Sequence, residues 1–173
     1  MILKQLGQKL ILRALEPEDL DFLYSIENDA ELWDFGCANV PYSKFSLNNY
    51  IVGSTCDIYA DKQMRLLMEN EDGKAVGLID LFNFEPKHQR AEVGIVVARE
   101  YRNMGYGHEA LMQIVAYARH TLHLHQVYAF VDVENGYSRK LFEGAGFTAG
   151  ARLIDWIQKD CRYGDAVMMY FFM

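Results

Sequence analysis

Arg102-Asn103-Met104-Gly105-Tyr106-Gly107 is the stretch whose reading decides the fold of this chain. It follows the apolar run Val93-Gly94-Ile95-Val96-Val97-Ala98, which predicts a buried strand. It precedes a helical pattern from Gly105 to about Thr121, with Ala110, Leu111, Ile114, Val115 and Ala118 on one stripe. A strand that enters a glycine-containing turn and then a helix aims free backbone N–H groups at one point, and the helix dipole adds positive character there. Such a turn suits a phosphate. The two glycines remove Cβ atoms that would hold a diphosphate away from the backbone, and Arg102 adds a charged contact at the rim. A P-loop would place Lys and then Ser or Thr after its second glycine, whereas Gly107 is followed by His108-Glu109. A dinucleotide fingerprint would need a third glycine, which is missing.

Outward from this turn, the length of 173 residues fits one domain, 1–173, with a substantial core. A composition of 51% apolar and 24% charged residues is that of an ordinary soluble globular protein. The net charge of −7 argues against nucleic acid as a partner and mildly favours a cationic substrate. Three cysteines, Cys37, Cys56 and Cys161, lack metal-site spacing and suit a reducing cytoplasm. Neither a signal peptide nor a long apolar segment is evident, so no membrane association is expected.

In chain order, Leu10–Leu15 predicts a strand, and Glu16-Pro17-Glu18-Asp19-Leu20 opens a helix to about Asn28, with Pro and acids in its first turn. Leu32 to Pro41 reads as a loop and Tyr42 to Ala60 as one weaker helix. Met64–Glu69 and Lys74–Leu81 form a hairpin about Asn70-Glu71-Asp72-Gly73. Phe84–His88 interrupts before the strand Arg90–Ala98. After the helix, Gln126–Val133 alternates as a strand, Asn135 caps a helix through Phe142, and Gly144-Ala145-Gly146 ends it. Two strands, about Ala149–Gln158 and Tyr163–Phe172, close the chain about a turn at Lys159-Asp160. His120, His123 and His125 lack a Cys or paired acid to complete a metal site, so no metal is expected. Trp33, Phe35 and Tyr42 read as core-packing loop aromatics or as a substrate wall, and Met168–Phe172 as a buried or interface strand.

The Arg-x-x-Gly-x-Gly turn, the strand ending Asp132-Val133-Glu134-Asn135 and the closing Leu141-Phe142-Glu143-Gly144-Ala145-Gly146-Phe147 together resemble the GNAT superfamily of N-acetyltransferases. The resemblance runs from Leu10 to Phe172. It implies an α/β (α+β) fold, with a mixed, mostly antiparallel central sheet, splayed fourth and fifth strands on either side of the Arg102–Gly107 turn, and flanking helices. Within the superfamily, Gln89-Arg90-Ala91-Glu92 before Val93-Gly94-Ile95, and Glu100-Tyr101-Arg102 after it, resemble the bacterial spermidine N-acetyltransferases most, and the ribosomal-protein N-terminal acetyltransferases next.

That resemblance implies acetyl-CoA as co-substrate, with its diphosphate at Arg102, Asn103, Met104, Gly105, Tyr106 and Gly107. Backbone groups of Ile95, Val96 and Val97 would pair with pantetheine lying in the gap, and Asn135 and Ser138 would face its arm. Glu92 is the expected general base, acting through water; a carboxylate there could instead pair with Arg90 or Lys87. Asp80 and Glu85 are candidates for holding a cationic amine, or solvated acids at a strand end. The family's tyrosine proton donor aligns with Phe142, which leaves the thiolate to water or another tyrosine; Tyr137 and Tyr128 are nearby in sequence but at neither do the motifs match. The loop after the first helix offers one acid, Asp34, so polyamine regulation is not expected. The resemblance also implies a homo-oligomer. The function it implies is acetyl transfer to a small primary amine, a polyamine first, with protein N-termini or a non-catalytic acyl-CoA-binding module as the rivals.

Overall fold

The computed structural model describes residues 2–3, 9–33, 40–55, 57–159 and 161–173. Strand β1 (Ile2–Leu3) pairs with β2 (Leu10–Ala14), and the helices α1 (Leu20–Glu27), α2 (Ala30–Trp33), α3 (Lys44–Gly53) and α4 (Ile58–Asp61) follow. Then come β3 (Met64–Asn70), β4 (Ala75–Glu85), β5 (Arg90–Val97), α5 (Tyr106–His120), β6 (Gln126–Asp132), α6 (Gly136–Gly144), β7 (Thr148–Lys159) and β8 (Arg162–Phe172). Among the described residues the strands form one sheet in the order β1-β2-β3-β4-β5-β6-β8-β7. Every neighbouring pair is antiparallel except β5 and β6, which run parallel. The GNAT-type α/β sheet is therefore as expected. Strand β1 has no counterpart in the sequence reading, so the expected fourth and fifth strands are β5 and β6.

Strands β4 and β5 are covered on both faces, which explains their near-continuous apolar runs. On one face Leu111 and Ile114 of α5 are fully buried against Leu10, Ile79, Ala91, Val93 and Val127. Each such side chain contributes about 2 kcal/mol. On the other face Leu23 of α1 and Leu47 and Ile51 of α3 pack on Leu67 and Leu78. This second layer covers only the β2–β5 half.

Several boundaries differ from the sequence reading. The single helix expected over Tyr42–Ala60 is two. Gly53-Ser54-Thr55 breaks it, and Asp57 starts α4 by accepting the Tyr59 N–H at 2.8 Å. Leu32 and Trp33, expected in a loop, instead end α2. Asp34, Phe35, Cys37, Cys56 and Asp160 lie outside the described residues, and with them the Asp34 loop and the tip of the last hairpin. Phe84 and Glu85 do not interrupt β4 but belong to it. A left-handed Asn83 (φ 48°) shifts the register without ending the strand, and the buried Phe84 takes the edge of Tyr59 at 5.0 Å.

On the α1/α3 face Arg65 of β3 forms two hydrogen bonds to Asp80, at 2.9 and 2.8 Å, and one to Glu27 of α1 at 2.5 Å. Burial works against its charge, and Asp80 with Glu27 outweighs that and holds the guanidinium above its ordinary pKa. Because the pairs are largely shielded from water, Arg65→Ala leaves two carboxylates without their partner. We expect a loss of about 3 kcal/mol in urea unfolding at neutral pH, and a loss below about 1 kcal/mol would show that the cluster does not tie α1 to the sheet.

Candidate active site

Strands β5 and β6 pair only through Arg90↔Gln126, Ala91↔Val127 and Glu92↔Tyr128. Beyond that rung β5 continues to Val97 and β6 to Asp132 without meeting. Ala98 donates its N–H to Val76 on β4 at 2.9 Å, while Gln89 accepts from His125 and Gln126 on the β6 side at 2.7 and 3.2 Å. Since backbone groups alternate between edges, Val93, Ile95 and Val97 turn theirs into the gap. Val96 is the exception among the expected pantetheine partners. Its N–H and C=O point to β4, and its side chain packs in the α1/α3 core.

Because β5 and β6 are parallel, the helices that follow them both begin at the open end of this gap. At the first, Gly105 caps α5 at φ 88°, a conformation that costs a side chain strain. A Cβ built there meets nothing within 4 Å, so the space before the helix N-terminus is open. Gly107 serves a different purpose than expected. Its Cβ would come within 3.2 Å of Leu141 and 3.5 Å of Val97, so it lets α5 close on α6 and β5 rather than making room for a ligand. Arg102 is exposed and anchored by its Nε–H to the Val97 carbonyl at 3.1 Å, while Asn103 (φ 61°) and the exposed Met104 form the rim. Tyr106 packs its ring edge-on to Tyr101 at 6.3 Å and against the core, which leaves its backbone for the turn. Glu109, an acid in the first turn, is turned toward β2, where it accepts the Leu10 N–H at 3.1 Å.

At the second helix start, Asn135 accepts the Ser138 N–H at 3.0 Å and caps α6. Helix N–H groups and an open, glycine-capped turn fit a diphosphate, and the unpaired β5 edge fits an extended amide-containing arm.

Glu92 stands at the last rung, on the face opposite Ala91, Val93 and Val127. Burial raises its pKa above the carboxylate norm, and the Asn83 Nδ2–H bond at 2.9 Å only partly opposes this. The arginine that could have paired with it is engaged elsewhere, since Arg90 donates to both Glu85 oxygens at 3.0 Å. Among the described residues no Lys, Arg or His forms an ion pair with Glu92. Asp80 and Glu85, the acids expected to hold an amine, are instead each bound to an arginine, Arg65 and Arg90. Asn83 was missed in the sequence because only the bulge turns it toward Glu92. Phe142 is buried, edge-on to Phe147 at 5.0 Å, so the family's usual donor position is sealed in the core. A groove of about 470 Å³ bordered by Leu15, Tyr50, Gln63 and Arg65 lies on the α3 side and is not lined by the gap residues. Among the described residues no helix is long and apolar enough to cross a membrane.

A sheet that opens after one short parallel pairing, with two helix starts at its mouth and a desolvated carboxylate at its apex, is the scaffold of an acetyl-CoA-dependent N-acetyltransferase. The comparisons agree. The acetyltransferase (GNAT) domain model matches residues 9–148, and the chain belongs to that family. The spermidine N(1)-acetyltransferase of Vibrio cholerae is 27% identical over 95% of this chain and 94% of its own length. A putative ribosomal N-acetyltransferase of Bacillus subtilis is 28% identical over 94% of this chain and 91% of its own. The crystal structure of the Vibrio cholerae enzyme in complex with CoA and spermine superposes with a TM-score of 0.83, at 28% identity and 95% coverage of both chains.

Two variants separate the turn from the apex. Arg102→Ala should weaken CoA binding about tenfold in calorimetry, roughly 1.4 kcal/mol, with the fold unchanged. Glu92→Gln should keep CoA affinity and lower kcat about 100-fold. With wild-type Glu92, kcat/KM should fall on acidification at a pH above the ordinary carboxylate pKa, since the raised pKa makes the base protonate earlier; an E92Q enzyme with the same profile removes Glu92 as the base.

Proposed function

We propose that this chain, as a single GNAT domain, acetylates a small polyamine such as spermidine by direct attack within a ternary complex. The observation that carries this reading is Glu92, a half-buried carboxylate without a cationic partner at the apex of the gap. It is placed to receive, through water, the proton that a cationic amine must lose before it attacks. The backbone of Ile95 and Val97 would hold the pantetheine arm and offer a donor to the thioester carbonyl. Asn135 and Ser138 would border that arm, and Arg102 with the N–H groups from Asn103 to Gly107 would hold the diphosphate. Val96 would act by packing β5 and not by pairing.

The acceptor side is acidic, with Glu92, Asp80, Glu85 and Glu27 on or beside one face and the chain at −7 overall. Asp80 and Glu27 outnumber Arg65 by one charge and would bias that face toward a cation, whereas Glu85 is balanced by Arg90. The matched relatives support a polyamine, since the Vibrio cholerae protein is described as a spermidine acetyltransferase and was crystallised with spermine. A dodecameric structure of that protein superposes at a TM-score of 0.79, which supports a homo-oligomer here. We place the protein in the cytoplasm, with neither nucleic acid nor membrane as partner.

A second reading rests on Phe142. With that position sealed by phenylalanine, the chain would bind acyl-CoA without turning it over. CoA release from acetyl-CoA, measured across spermidine, spermine, putrescine and short peptides with free N-termini, decides among these. We expect saturable release with polyamines. Release with peptides alone would move the chain to protein N-termini, and tight CoA binding without release on any amine would establish the binding module.

A further inference from the structure

The family's usual proton donor position is phenylalanine, yet a phenol stands at the apex of the gap on another element. Tyr128 of β6 is the register partner of Glu92 in the last parallel rung, and directly paired residues project to the same face. Its ring is 9% exposed and packs edge-on to Phe130 at 5.6 Å, which fixes its direction. The hydroxyl forms no hydrogen bond among the described residues, and it is not among the sealed polar atoms without a partner. A nearly buried tyrosine with an unclaimed, accessible hydroxyl is unusual, because buried phenols ordinarily find a partner. Tyr137 and Tyr170 are worse placed. Tyr137 is 84% exposed on α6, and Tyr170 lies one strand farther from the gap, opposite Tyr128 on β8.

We propose that Tyr128 is the proton donor to the CoA thiolate, an assignment that rests on the acetyl-transfer reading of the same site. The amine nitrogen attacks the thioester carbon after Glu92 has accepted its first proton through water. As the C–N bond forms and the C–S bond breaks, the bonding pair passes to sulfur, and sulfur takes the phenol proton. The surplus proton on the new amide nitrogen returns to the phenolate, directly or through one water, and restores Tyr128. Atoms and charge balance: ammonium and acetyl-CoA give amide, CoA thiol and one proton released to solvent.

The groups that face Tyr128 suit a donor. Burial first, and then Glu92, push the phenol above its ordinary pKa; Arg90 opposes this and Glu85 adds to it, while Tyr170 faces it from β8. The phenol therefore stays protonated through neutral pH and is available when the thiolate leaves.

Tyr128→Phe tests this on whichever amine the wild type turns over fastest, since the ring and its packing are retained. The expected result is a kcat lowered about 100-fold, with KM for acetyl-CoA and CoA affinity unchanged, and loss of the alkaline limb of the kcat profile. Incorporation of 3-fluorotyrosine at position 128 should move that limb to lower pH, which a packing role would not do. Unchanged kcat in Y128F, or an alkaline limb that does not move with fluorotyrosine, overturns the assignment. If the wild type acetylates peptides and not polyamines, the polyamine reading fails while Tyr128 is still tested on the peptide. CoA release by the wild type on no amine at all overturns both.

Discussion

Everything functional in this molecule depends on two parallel strands that pair for three residues and then part. Had the pairing continued, Val93, Ile95 and Val97 would have bonded β6 and no edge would remain for a ligand. Instead each strand keeps its outer partner, β4 for β5 and β8 for β6, so the sheet stays continuous while its centre opens. The parallel direction has a second consequence. It sets the starts of α5 and α6 at the same open end, the first left open before Gly105 and the second capped by Asn135.

The face that presents Glu92 is organised by where arginine goes. Arg65 takes Asp80 and Glu27, and Arg90 takes Glu85. Glu85 is balanced by Arg90, Asp80 and Glu27 share the single charge of Arg65, and Glu92 at the apex is left desolvated with an amide, Asn83, as its partner. An amide hydrogen bond orients a carboxylate without neutralising it, so the group keeps its basicity. The bulge at Asn83 makes this contact, and it is the one interruption in an otherwise regular β4 register near the site.

The far half of the sheet has its own fastening. Asp132, at the end of β6, is buried and bound by Lys159 at 2.5 Å, and Glu134 gathers Lys159 and Arg162 from the last hairpin. Arg162 and then Lys159 hold the Glu134 carboxyl down at about 2. These pairs tie β7 and β8 to the turn that leads into α6, which keeps the start of that helix in register with the gap. The bulge around Asp155 (φ 52°) brings Trp156 beside Phe130 at 5.7 Å and continues the aromatic surface that begins at Tyr128.

The amino-acid sequence by itself determined the element types along most of the chain, the glycine turn before α5 and the Asn135 helix cap, because these follow from local chemistry. Glycine at positive φ, Asn135 at a helix start and an apolar stripe at helical period read the same in any context. The sequence also singled out Glu92, through its place in a family-like run. What only the tertiary structure decided is which neighbours each group meets. That Val96 faces β4 and not the gap depends on edge alternation across a particular pairing. That Gly107 serves helix packing depends on Leu141, 34 residues away. That Asp80 and Glu85 are already paired, while Glu92 is not, depends on which arginines the sheet brings to their side. Tyr128 was one tyrosine among several until the last rung of β5 and β6 set it beside Glu92. Pairings between distant segments are fixed by burial and register, and a local pattern carries neither.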